Sequence, residues 1–235
     1  MFDKKSRLLI CSAHPDDETI GMGGTIARAR MAGAQVRIVF FGEGVTARYL
    51  PPQFGSEKVQ AEIAERTANA VKACTILGVD PAELVFEDRT CCRFDDAGAH
   101  IDLIKAVEVH LDSFQPTQVF THAAADTNID HRIMHQAVLT AVRAIRYPEI
   151  ELIALFEVMS STEANPLAPF APDLFIDISE TFSRKVDALL AYGKEAGRPP
   201  HPRSPEALEG LARYRGAQAA MIYAEAFKTV RRSVR

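Results

Sequence analysis

The chain has 235 residues, of which 47% are hydrophobic and 25% are charged; this composition fits one folded domain and excludes a disordered chain. A formal net charge of −4 provides no basic surface for nucleic acid, so we exclude a nucleic-acid partner. Apolar runs stay below the roughly 20 residues of a membrane span, and no secretory signal is apparent. The four cysteines lack the C-x-x-C spacing of structural zinc sites. We therefore expect a cytoplasmic protein with reduced thiols and no membrane span.

Short apolar runs alternate with helical patterns along the first half of the chain. The run at 8–11 predicts a buried strand, and the helix predicted over 24–31 is followed by Gly33, a residue suited to the end of a helix. A second strand is expected at 36–41. The loop after it is long and broken by glycine and proline, which is typical of loops that border a site. A long helix over 56–77 follows.

The second half continues this alternation. Strands are predicted at 84–86, 118–122, 152–156 and 174–178, and helices at 101–114, 130–145, 179–192 and 205–230. Such alternation indicates an α/β fold of the Rossmann-like, doubly wound type with a mostly parallel sheet. We expect a single domain over 1–235, with the last helix packed against it.

The first predicted strand leads into a dense group of ionisable side chains, Ala13-His14-Pro15-Asp16-Asp17-Glu18, followed by Gly23-Gly24. Open α/β sheets bind ligands beyond the carboxyl ends of their strands, which is where this group lies. Neighbouring carboxylates repel one another unless a cation offsets their charge. A turn that merely caps a helix would need only one acid and would not explain the histidine. The pattern therefore predicts a divalent metal site.

A second polar group follows the fourth predicted strand and contains His122, Asp126, Asn128, Asp130 and His131. In a sheet of order 3-2-1-4-5-6 the first and fourth strands are neighbours, so both groups would meet in one crevice. A catalytic zinc usually takes three protein ligands and keeps a fourth position for water. His14, Asp17 and one histidine of the second group would supply them. We favour His131 over His135, which lies one helical turn, about 5.4 Å, deeper.

Two motifs resemble those of the PIG-L/LmbE-like zinc N-deacetylases: residues 13–18 with Gly23-Gly24, and Asn128-x-Asp130-His131-Arg132. Members of this family hydrolyse the acetamide of N-acetylglucosamine-type groups. The resemblance covers most of the chain, with softer matches at 157–162, 215–216 and 224–227. It implies a zinc cofactor and a small-molecule substrate, an N-acetylated sugar or its glycoconjugate. The sequence does not determine the oligomeric state, and a homo-oligomer is one possibility.

The resemblance also assigns roles to single residues. It implies that His14, Asp17 and His131 are the zinc ligands. Asp16 is implied as the general base, which takes a proton from water and returns it to the leaving amine. Asp130 is implied as a carboxylate of the catalytic site that lies beside a metal ligand.

One position departs from the family pattern, because some members have a histidine where this chain has Asn128. Asparagine can donate a hydrogen bond but cannot transfer a proton. We therefore predict that His122 polarises the substrate carbonyl and that Asn128 contacts the substrate. Arg48, in the loop after the second strand, is predicted to contact a substrate hydroxyl or phosphate; a solvated surface arginine explains it equally well.

Other functions compete with this hypothesis. A magnesium-dependent phosphoryl-transfer hydrolase would use paired aspartates, but histidines in both groups favour zinc. A catalytically silent sugar-binding module is a further alternative, against which the intact Asp16 argues. A dinucleotide site at Gly21-Met22-Gly23-Gly24 fails, because Ile26 stands where the motif needs its third glycine.

Overall fold

Buried apolar runs form the strands of a central sheet in the computed structural model, which describes residues 1–96 and 98–234. The strands are β1 (Arg7–Ser12), β2 (Gln35–Gly42), β3 (Leu84–Arg89), β4 (Gln118–His122), β5 (Leu152–Phe156), β6 (Leu174–Asp177) and β7 (Ala224–Arg232). Within the described residues these strands form one seven-stranded sheet of order β3-β2-β1-β4-β5-β7-β6. The helices are α1 (Asp17–Met31), α2 (Glu57–Ile76), α3 (Ala99–Phe114), α4 (Ile129–Ala141), α5 (Phe182–Ala191) and α6 (Pro205–Gln218).

Helices cover both faces of the sheet, each over its own apolar cluster. One cluster joins one face of the sheet to α1, α2, α5 and α6. The other joins the opposite face to α3 and α4. β1 pairs in parallel with β2 and β4, and among the strand pairs described here only the two that involve β7 are antiparallel. The predicted doubly wound, mostly parallel α/β fold is confirmed.

The predicted helix over 205–230 is wrong in its second half. Helix α6 ends at Gln218, and the chain then turns and enters the sheet as β7, between β5 and β6. At Gly216 the turn passes so close that a Cβ atom would meet the Met221 carbonyl oxygen at 2.5 Å. The alanine-rich sequence has helical propensity, but pairing with two strands outweighs it. The sheet matches the order 3-2-1-4-5-6, which the sequence did not establish, as far as β5, and β7 takes the sixth place.

Helix α1 begins inside the first polar motif and is interrupted at Met22, whose φ of −150° is not helical. Two buried side chains from distant elements satisfy the backbone groups at this break. The Glu225 carboxylate of β7 accepts hydrogen bonds from the Gly24 and Thr25 amides at 3.0 and 2.7 Å. Lys185 of α5 donates to the Ile20 carbonyl at 2.8 Å and to Glu225 at 2.5 Å. The break in α1 is therefore held by one buried ion pair.

We expect Glu225→Ala to lower the free energy of unfolding by about 3–5 kcal/mol, because it leaves a buried ammonium group without its partner. Chemical denaturation monitored by circular dichroism measures this change. The matched control is Lys228→Ala, which removes the exposed ion pair of Lys228 with Asp173 and is expected to cost at most about 1 kcal/mol. Equal losses in the two variants would contradict a structural role for the buried pair.

In the described residues we find no helix with the length and apolar character that crossing a membrane requires.

Candidate metal centre

The two polar groups of the sequence meet at the carboxyl edge of the sheet, because β1 and β4 are paired neighbours. His14 lies in the turn after β1, and Asp17 is the first residue of α1. His131 lies in the first turn of α4, the helix that follows β4. All three side chains are buried, with at most 7% of any residue exposed.

Asp17 stands between the two imidazoles. Its Oδ2 atom lies 3.4 Å from His14 Nδ1 and 3.2 Å from His131 Nε2. One ligand atom from each of these three residues lies within 4.8 Å of the others, which is close enough for a shared metal ion. The buried His131 Nε2 atom makes no hydrogen bond. Two imidazole nitrogens and one carboxylate oxygen are a donor set that suits zinc and leaves a position for water.

Each imidazole is oriented by a further buried carboxylate. Asp130 Oδ2 lies 3.0 Å from His14 Nε2 and accepts a hydrogen bond from the Cys92 amide at 2.6 Å. Asp126 Oδ2 lies 3.1 Å from His131 Nδ1. Carboxylates in this position fix the tautomer and the orientation of metal-binding histidines. The sequence placed Asp126 in the second polar group without giving it a role.

The carboxylates make this position attractive to positive charge. Burial alone lowers the pKa of His131, but Asp17 and Asp126 outweigh that effect and raise it to about 9. The pKa of Asp17 lies well below its usual range, because the contacts with His131 and His14 outweigh the effect of burial. A cation between these groups, either a proton or a metal ion, is therefore favoured.

Asp16 lies next to the three ligand candidates and is 1% exposed. Its φ of 115° is unusual for a residue with a side chain. Its Oδ2 atom contacts Arg203 Nη1 at 2.8 Å and Arg66 Nη2 at 3.0 Å, whereas its buried Oδ1 atom has no hydrogen-bond partner. Burial raises the pKa of Asp16, although both arginines act in the opposite direction. One carboxylate oxygen is thus tied and the other is available to accept a proton.

Neither of the two arginines that contact Asp16 was predicted from the sequence. Arg66 lies on α2, is 5% exposed, and also donates to the carbonyl oxygens of Pro15 and Gly44. The sequence does contain an indication that Arg66 is buried, because it lies on the apolar face of α2 that Val59 and Ala70 share. A charged residue on a buried face needs a partner of opposite charge. Arg203 lies in the segment between α5 and α6. Nothing in its local sequence indicates the contact with Asp16.

His122 lies beside the candidate centre, with its Nε2 atom 3.7 Å from Asp17 Oδ2. It is fully buried and stacks on His131, with ring centroids 4.0 Å apart. Its Nε2 atom accepts a hydrogen bond from the Ala13 amide at 2.8 Å, so this nitrogen cannot donate to a substrate. Burial, with His131 beside it, lowers the pKa of His122 well below its usual value. The geometry does not support the predicted role of His122 in polarising a carbonyl.

The two predicted substrate contacts have partners within the protein. Asn128 caps α4, with its Oδ1 atom accepting a hydrogen bond from the Asp130 amide at 2.9 Å. Arg48 is exposed, and its Nη2 atom lies 2.6 Å from Glu195 Oε2. Glu195 in turn contacts Arg66 at 3.3 Å. Arg48 is therefore linked to the ion pairs around Asp16 and not to the three ligand candidates; substrate contact by either residue stays a prediction.

The family model described as "PIG-L: GlcNAc-PI de-N-acetylase" matches residues 9–142, which is more than half of the chain, so this protein belongs to the PIG-L family. A relative from Gordonia bronchialis, 1D-myo-inositol 2-acetamido-2-deoxy-alpha-D-glucopyranoside deacetylase, is 26% identical over 236 residues. That match covers 80% of this chain and 83% of the relative.

Two solved structures share the fold. The N,N'-diacetylchitobiose deacetylase from Pyrococcus horikoshii superposes with a TM-score of 0.76 at 20% identity, over 96% of this chain and 84% of that one. GalB, the 4-carboxy-2-hydroxymuconate hydratase from Pseudomonas putida, superposes with a TM-score of 0.73 at 22% identity, over 98% of each chain. Because a hydratase also has this fold, the architecture alone does not select the reaction.

Proposed function

We propose that this protein is a zinc-dependent hydrolase that removes the acetyl group from an N-acetylated amino sugar or its glycoconjugate. The observation that carries the proposal is the buried trio of His14, Asp17 and His131 beside Asp16, a carboxylate with one free oxygen. The family match and the deacetylase activity named for the Gordonia relative support the same reaction. A cytoplasmic location stays a prediction from cysteine usage.

In this proposal the ion is held by the nitrogen and oxygen atoms that face one another, His14 Nδ1, Asp17 Oδ2 and His131 Nε2. When bound, zinc supplies a Lewis acid for the acetamide carbonyl and makes water acidic enough to act as a nucleophile near neutral pH. The two imidazole donors favour zinc over magnesium, which prefers oxygen ligands. No feature of the site favours phosphoryl transfer over amide hydrolysis.

The chain's own residues then handle the proton. Asp16 accepts it at Oδ1 as water adds to the acetamide carbon, because Oδ2 is tied to Arg66 and Arg203. The same carboxyl group delivers the proton to the amide nitrogen as the carbon–nitrogen bond breaks. The products are acetate and a free amine, so one water is consumed for each acetyl group released.

We expect Asp126→Asn and Asp130→Asn each to weaken zinc affinity by about 10–100-fold, because an imidazole loses the carboxylate that orients it. Competition with a chromophoric chelator measures this affinity. The matched control is Asp112→Asn, which changes an exposed carboxylate paired with Arg146 and should leave the affinity unchanged. Unchanged affinity in both test variants would contradict the assignment of the two histidines as ligands.

The decisive experiment for the proposed function combines metal analysis with a screen for acetate release. The purified protein is loaded with one equivalent of zinc and offered N,N'-diacetylchitobiose, N-acetylglucosamine linked to inositol, and a panel of other N-acetylated sugars. Equal amounts of acetate and free amine, lost on chelation and restored by zinc, are the expected result. One equivalent of bound zinc with sugar binding and no acetate from any substrate would favour the silent binding module.

A further inference from the structure

A second group of candidate ligand atoms lies beside the first and shares His14 with it. It consists of Cys91, His14 and Asp130, and one ligand atom from each lies within 4.8 Å of the others. The exposed fractions of the three residues are 3%, 7% and 0%. Cys91 comes from the loop after β3, a segment to which the proposed mechanism gives no part. The group therefore calls for an explanation beyond hydrolysis.

The atoms of this group are poorly satisfied by the protein alone. Asp130 Oδ1 is buried without a hydrogen-bond partner. The Cys91 sulfur accepts only the Gly44 amide, at 2.9 Å, among the hydrogen bonds of the described residues. His14 presents its two nitrogens to opposite partners, Nδ1 to Asp17 at 3.4 Å and Nε2 to Asp130 at 3.0 Å. A cation held by the Cys91 sulfur, by His14 Nε2, which faces Asp130, and by a carboxylate oxygen of Asp130 would give all three side chains a shared partner.

We propose that Cys91, His14 and Asp130 form a second metal site, which binds soft divalent cations and inhibits the enzyme. A thiolate ligand selects ions such as cadmium and excess zinc and discriminates against magnesium, which requires oxygen ligands. The ion binds Nε2 of the neutral His14 imidazole, whose single proton then lies on Nδ1, and it displaces the thiol proton of Cys91. One proton is released to solvent for each ion that binds, and no electron is transferred.

Inhibition follows because both sites need the same imidazole. With an ion on Nε2, Asp130 no longer accepts the hydrogen bond that orients His14. The imidazole proton then lies on Nδ1, so this atom cannot bind an ion at the first site. The inhibitory part of this inference rests on the proposed function. The binding part does not, because it concerns only these three side chains and the added ion.

The test adds cadmium ions to the zinc-loaded protein and records the ultraviolet sulfur-to-cadmium charge-transfer band together with the acetate release rate. The first proposed site contains no sulfur, so cadmium that replaces zinc there adds no such band. Cys91→Ser removes the proposed ligand. Cys92→Ser is the matched control, because this neighbouring thiol is exposed and Cys92 contacts Asp130 through its backbone amide only.

We expect one thiolate–cadmium band per molecule in the wild type and in Cys92→Ser, and none in Cys91→Ser. The cadmium concentration that halves each variant's own rate should rise at least about tenfold in Cys91→Ser. Magnesium at the same concentrations should not inhibit. Unfolding midpoints of the three proteins show whether each variant folds.

Three outcomes would overturn the proposal. If the band disappears in Cys92→Ser and not in Cys91→Ser, cadmium binds the exposed thiol. If the wild type shows no band, the proposed second site does not exist. If the band depends on Cys91 but cadmium does not inhibit acetate release by the wild type, the proposed competition for His14 is disproved. A protein that shows the band but releases no acetate would retain the second site and refute only the proposed function.

Discussion

Asp16→Asn is expected to lower kcat for acetate release by about 100-fold or more while zinc content stays at one equivalent. The amide of asparagine cannot accept the proton from water, whereas the three proposed ligands are untouched. Asparagine is the substitution to make, because φ at position 16 is 115° and asparagine tolerates positive φ better than alanine does. The measurement is steady-state kinetics on protein whose metal content has been determined.

The control for this variant is Asp88→Asn, the same substitution at an exposed aspartate that also has positive φ, 50°. It should leave kcat unchanged. If Asp16→Asn retains the wild-type rate, Asp16 is not the proton acceptor. If it loses zinc together with activity, Asp16 acts on metal binding and the separation of roles proposed here is wrong.

Asp17→Asn is expected to abolish stoichiometric zinc binding, and activity with it. Asp17 Oδ2 is the only carboxylate oxygen among the proposed ligand atoms, and it lies within 3.4 Å of both ligand imidazoles. The variant keeps a side-chain oxygen for the hydrogen bond that the His14 amide now donates to Asp17 Oδ2 at 2.9 Å, so the turn is preserved. Metal analysis after gel filtration and acetate release with added zinc measure the two effects.

Excess zinc should distinguish this variant from the previous one. Asp17→Asn is expected to regain part of its rate as the zinc concentration rises, since its defect is affinity, whereas Asp16→Asn should not respond. A protein with Asp17→Asn that still holds one equivalent of zinc through gel filtration would exclude Asp17 from the ligand set. Circular dichroism of both variants provides the folding control.

Much of the fold is predictable from the sequence because local pattern and tertiary structure agree in β1 to β5 and in the helices between them. β1, β2, β4 and β5 each contain a short buried apolar run, as expected when both faces of a parallel sheet are covered. The agreement ends after α6, where residues 224–232 join the sheet through contacts with β5 and β6 that no local pattern encodes. An antiparallel strand added to a doubly wound sheet cannot be predicted from the local sequence of each segment alone.

The candidate site divides in the same way. His14, Asp17 and His131 are predictable because their residue types and their positions after neighbouring strands point to metal binding. The partners of Asp16 are not, because Arg66 and Arg203 come from parts of the chain separated from it by 50 and 187 residues. These two contacts cannot be predicted because the residues lie far apart along the chain, although their charges are complementary. The burial of the His122 ring is not predictable either, since a histidine at a strand end gives no sign that its ring faces inward. The role of His122 stays a prediction.

The insertion of β7 has a consequence for synthesis on the ribosome. Glu225 caps the second half of α1, yet it emerges about 200 residues after the helix that it stabilises. A nascent chain can pair β1 to β5 early. The turn at the start of α1 that holds the candidate metal ligands remains loosely anchored, and the edge of β5 stays unpaired, until β7 joins the sheet. Metal capture is therefore expected to follow the synthesis and pairing of β7.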